Sequence, residues 1–156
     1  MLVISDTSPV RALHAVGRLE LLRLLFLEVI VPPSVVWELQ HPPTGSLPVR
    51  IEEHDFLRVV VPSSLESIDA DLDAGEREAI SLARELRADW LLIDERIGHG
   101  VAARLGIPSI GVLGVILEAK RVGFLDAVRP VVDHLRQNRF FISDPLYELI
   151  LRQSGE

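Results

Sequence analysis

The stretch Leu2–Val10, LVISDTSPV, runs from an apolar segment into a helix start and leaves an acidic residue, Asp6, at the seam. Leu2–Ser5 reads as a β-strand. Ser8 followed by Pro9 supplies a helix N-cap and a first helical residue whose φ is already set. The helix is expected to run to Gly17, with RLELLRLLF continuing as a second. The same strand-then-helix grammar recurs: EVIVP then PSVVWELQ, FLRVVVP then Ala74–Leu86, DWLLIDE then RIGHGVAARLG, and IPSIG ahead of a mainly helical remainder. A short amphipathic piece is expected around Ile51. Strands alternating with helices over the first 111 residues predict an α/β fold with a mostly parallel sheet covered by helices on both faces. In such sheets chemistry gathers beyond the carboxyl ends of the strands.

The chain has 156 residues, 48% of them apolar and 25% charged, which suits one globular domain spanning 1–156. It contains no cysteine, so disulfides and thiolate metal sites are excluded. No apolar run reaches membrane-spanning length, and no basic segment precedes the first apolar run. A soluble cytoplasmic protein is expected. The net charge of −7 is uneven: residues 51–78 hold nine acidic and two basic side chains, residues 119–142 five basic and two acidic. That balance argues against a general polyanion binder yet leaves room for a local basic face. Lys120 is the single lysine among 16 basic residues.

Asp6 follows the first strand and Asp94 the fourth, so both fall at the carboxyl edge of the sheet. Each alone could be a cap or turn residue. Glu76 extends the stripe Ala79, Ile80, Ala83 and Leu86 toward the helix start, on the side that faces the core. An inward carboxylate costs desolvation unless something binds it; the local alternative is a capping box with Asp73 as N-cap. Glu38, in VWEL, borders the sector formed by Val35, Val36 and Leu39, where an ordinary solvated glutamate would also fit. Two like charges at ~4 Å repel by about 4 kcal/mol at an effective dielectric near ~20. Four converging carboxylates therefore require protons or cations, and an oxygen-only ligand set favours Mg²⁺ or Mn²⁺.

Taken in order, SDTSP, VWEL, GEREAI, LLIDER and GVLGVILEAKRVG give a sequence that resembles the PIN domain, the nuclease fold of VapC-type toxins, in a poorly characterised prokaryotic branch. The resemblance spans essentially the whole chain. It implies a three-layer α/β/α sandwich and an acidic cluster binding Mg²⁺ or Mn²⁺ for RNA cleavage. Carried over by motif, Asp6, Glu38, Glu76 and Asp94 would take the four acidic positions and hold the metal. Ser8 would be the hydroxyl that assists near it, and Glu95 could add a ligand. Asp6 and Asp94 are the expected direct ligands. The implied function is a divalent-metal-dependent endoribonuclease acting on single-stranded or loop RNA, the toxin of a type II toxin–antitoxin pair. Its implied partners are an antitoxin and a second copy of the chain, as a homodimer.

Competing readings differ in class. One is a catalytically inactive PIN-like module that binds protein or RNA. Another, a phosphatase with an aspartyl nucleophile, needs a second aspartate where Ser8 stands. Leu146, Leu149 and Ile150 of the last helix could serve a dimer or an antitoxin, or dock on the domain's own core. Arg96, His99 and Arg104 could meet phosphates or form a solvated face. Arg11, one turn into the first helix, could pair with the acidic residues or face solvent.

Overall fold

The computed structural model describes residues 1–68 and 70–156; Asp69, in the acidic loop, lies outside the described residues. The strands are β1 (Val3–Ser5), β2 (Val29–Val31), β3 (Leu57–Val59), β4 (Trp90–Leu92) and β5 (Ser109–Ile110). The helices are α1 (Thr7–Ala15), α2 (Glu20–Phe26), α3 (Pro33–Gln40), α4 (Ala74–Glu85), α5 (Arg96–Arg104), α6 (Val112–Arg121), α7 (Arg129–Gln137) and α8 (Asp144–Gln153). A 3₁₀ turn at Ile51–Glu53 occupies the expected amphipathic piece.

All five strands are parallel, in the order β3-β2-β1-β4-β5. The register sets Ile4 beside both Ile30 and Leu91. Successive side chains point to opposite faces of a strand, and the sheet sorts them accordingly. Val3, Val29, Val31 and Leu92 enter one core with Val10 and Leu13 of α1, Val115 and Ile116 of α6, and Val132 and Leu135 of α7. Ile4, Ile30, Leu91 and Ile93 enter a second with Ala79, Ile80 and Ala83 of α4 and Val101 and Ala102 of α5. The result is the expected three-layer α/β/α sandwich. Short β-branched strands suit a sheet buried on both faces.

Two local expectations shift. Helix α1 starts at Thr7 with Asp6 at the N-cap position, so Ser8 is its second residue rather than its cap. Asp6 makes no side-chain capping bond there, which removes the ordinary explanation for an acid at that seam. On α8, Ile150 docks on the domain's own core, whereas Leu146 and Leu149 remain exposed. No helix among the described residues is long and apolar enough to cross a membrane.

Candidate metal centre

From β1 the chain moves outward to β2 and β3, then returns to place β4 and β5 on the other side. The order therefore reverses between β1 and β4, the kind of crevice where open α/β sheets bind ligands. The backbone N–H of Asp6 donates to Leu92 O at 2.9 Å, fixing Asp6 at the mouth of this crevice. Asp94 leaves the neighbouring strand two residues beyond Leu92.

Asp6, Glu38 and Asp73 each present a carboxylate oxygen within 4.8 Å of the others. They come from the β1–α1 junction, α3 and the N-cap of α4. Asp6 is only 4% exposed. Its Oδ1 is buried and has no hydrogen-bond partner among the described residues. Glu38 is steered inward by the Thr7 hydroxyl, which donates to Oε2 at 2.6 Å. Gly75 makes the room: a Cβ at that position would stand 2.8 Å from Glu38 Oε1. Asp73 Oδ1 accepts the Glu76 N–H at 2.8 Å, and Glu76 Oε1 accepts the Asp73 N–H at 3.3 Å. This is a complete capping box, and Glu76 is nonetheless only 7% exposed, as its place on the inward stripe requires.

Burial pushes the Asp6 carboxyl up to about 8, against the pull of the Thr7 backbone N–H; Asp73, Glu76 and Glu38 add repulsion. Burial likewise pushes Glu76 up to about 7, opposed by the Asp73 backbone N–H, with Asp73 and Glu95 raising it further. A metal-free centre thus relieves its crowding by holding protons. The donor set is all oxygen, and Asp6 carries a lone pair that no described residue uses. These residues fit a hard divalent cation.

Asp94 belongs to an adjoining arrangement. Its Oδ2 accepts the Ser8 hydroxyl at 2.8 Å and its Oδ1 the backbone N–H of Val112, the first residue of α6, also at 2.8 Å. A Cβ on Gly111 would lie 2.8 Å from Oδ1, so glycine is needed for that approach. Burial raises the Asp94 pKa; the bonds from Val112 and Ser8 and the charge of His99 oppose it. His99 turns its Nδ1 to Ser109 Oγ, 2.8 Å away, whereas Arg96 and Arg104 are exposed. Among the described residues Arg11 pairs with no carboxylate: its Nη2 donates to the backbone carbonyl of Glu38 at 2.6 Å.

Of the residues singled out in the sequence, Asp6 and Glu38 enter the close trio, Glu76 adds its charge beside it, and Ser8 and Asp94 are bonded together. Asp73 and Thr7 were missed as site residues. Asp73 fits a local capping pattern fully, and only its long-range approach to Asp6 reveals a second use. Thr7 stands beside Ser8 in the segment Asp6–Ser8, and its use appears only in the long-range bond to Glu38. A profile described as a PIN domain matches residues 2–156. No curated protein and no solved structure matches the chain significantly.

Proposed function

The chain belongs to the PIN-domain family, and from that premise we propose that it is a divalent-metal-dependent endoribonuclease that hydrolyses RNA phosphodiester bonds. The observation that carries this reading is Asp6 Oδ1, buried and unpartnered beside Glu38 and Asp73. Asp6, Glu38 and Asp73 would hold Mg²⁺ or Mn²⁺. Glu76 adds negative charge beside them, and Asp94 would approach from the neighbouring strand end. When bound, the ion supplies positive charge to a phosphate oxygen and acidity to water. Thr7 and Ser8 keep Glu38 and Asp94 in fixed orientations, which lowers the cost of organising the site for reaction. Arg11 anchors α3 through the Glu38 carbonyl without neutralising the carboxylates. Hydrolysis then places a water oxygen on phosphorus and expels a sugar oxygen. The likeness to VapC-type sequences extends the proposal to a cytoplasmic toxin of a type II pair, a homodimer held in check by an antitoxin.

Calorimetric titration with Mn²⁺ tests the centre directly. Wild type should bind saturably, Asp6→Asn should lose most of that affinity, and Asp94→Asn should weaken it less. Metal-dependent cleavage of a mixed RNA pool by wild type, abolished in Asp6→Asn, completes the test. Absence of Mn²⁺ binding by the folded wild type would overturn the nuclease reading and leave a non-catalytic interaction module.

A further inference from the structure

A cavity of about 490 Å³ opens beside the acidic centre, walled by α1, the loop after α3 and the turn after α7. Its lining includes Arg11, His14 and Arg139 and no Asp or Glu, in a chain with 23 acidic and 16 basic residues. Neither arginine has a carboxylate partner among the described residues. Each is anchored by a backbone carbonyl instead. Arg11 Nη2 holds Glu38 O at 2.6 Å, and Arg139 Nη1 holds Thr44 O at 3.1 Å. The Nε of Arg11 is buried and has no partner among the described residues. Guanidinium groups oriented by neutral carbonyls, with donors to spare, suit an oxyanion.

The remaining wall has a different character. Leu47, 74% exposed, and Phe140 give it apolar surface suited to a flat ring. The volume falls in the range of ordinary small-ligand sites, roughly 300–1,000 Å³. Ser8 joins the cavity to the carboxylates at the strand ends, since it lines the first and donates to Asp94, which adjoins the acidic trio. A chain molecule with a phosphate at the carboxylates would therefore carry its next unit toward this opening.

We propose that the cavity binds the nucleotide adjoining the scissile phosphate of an RNA substrate. Arg139 and Arg11 take its phosphate, and the base rests against Phe140 and Leu47. This rests on the nuclease reading for the source of the nucleotide, while the cavity's own chemistry calls for an anion attached to a flat, partly apolar ring.

Binding of a short randomised, fluorescently labelled RNA, followed by anisotropy in EDTA, tests it without cleavage. Arg139→Glu should weaken binding at least tenfold and lower the slope of log affinity against log salt by about 1. Arg139→Lys should recover most of the loss. Both variants should keep wild-type Mn²⁺ affinity and melting temperature, because Arg139 is exposed and outside the carboxylate cluster. Equal RNA binding by wild type and Arg139→Glu would overturn the subsite while leaving the metal centre standing. Binding of nucleoside monophosphates, but not RNA, with the same Arg139 dependence would overturn the RNA assignment and identify a free-nucleotide site. Binding of neither would also overturn the proposal. Failure of wild type to bind Mn²⁺ is a separate result that sinks the nuclease reading alone.

Discussion

The Thr7 hydroxyl donates to Glu38 Oε2 at 2.6 Å, so the first residue of α1 holds a carboxylate 31 positions downstream on α3. Thr7→Val keeps the shape and removes the donor. Hydrogen bonds to charged groups contribute about 1.5–3 kcal/mol. Mn²⁺ affinity should fall by roughly tenfold or more. Thr7→Ser should restore it, with titration calorimetry as the readout.

Asp73 serves α4 as N-cap and the trio as a carboxylate, and two substitutions separate these uses. Asp73→Ala removes both and should cost about 0.5–2 kcal/mol of stability. Asp73→Ser keeps a capping oxygen and removes the charge. Its melting temperature should stay near wild type while Mn²⁺ affinity drops. Equal affinity in Asp73→Ser and wild type would exclude Asp73 as a ligand.

Gly75 leaves space that Glu38 uses. Gly75→Ala adds a Cβ at 2.8 Å from Glu38 Oε1, so the carboxylate must move. Alanine is the better helix former by up to ~1 kcal/mol, so the variant should fold well. It should nevertheless bind Mn²⁺ more weakly than wild type.

The pH dependence of stability has a definite sign. The Asp6 carboxyl has an ordinary value of 3.8 and is pushed to about 8 in the folded chain. Between those values the folded state holds a proton that the unfolded state has released. Its contribution to stability is complete below the lower value and is lost as pH rises through the upper. The slope is on the order of 1 kcal/mol per pH unit in that window. Metal-free protein should therefore melt at lower temperature at pH 8 than at pH 6. Asp6→Asn, which cannot ionise, should be the more stable protein at pH 8 in EDTA. Thermal melts of both proteins across pH, with and without Mn²⁺, check this. Mn²⁺ should reverse the order, since it binds the ionised wild type.

Much of the fold was legible because parallel strands buried on both faces read as short apolar runs, each followed by a helix. Strand alternation sends Val3 and Ile4 to opposite faces, but which helices cover each face was not legible, since both sides are apolar. Glu76 was legible through its place on the inward stripe, and Asp6 through its place at a strand end. Asp73 and Thr7 were hidden for opposite reasons. The first has a sufficient local role, while the second acts only through a residue far along the chain. Arg11 was ambiguous because its helical position is compatible with either a carboxylate or a carbonyl partner, and packing against α3 selects the carbonyl.

Sheet order also separates neighbours in space from neighbours along the chain. The central strand, β1, is flanked by β2 and β4, and α3, β3 and α4 all lie between those two along the chain. The strand that accepts the Asp6 N–H ends at Leu92, and the N–H that pins Asp94 belongs to Val112. Asp6, Glu38 and Asp73 themselves come from three separate stretches of the chain. The acidic centre therefore depends on contacts between segments far apart in sequence.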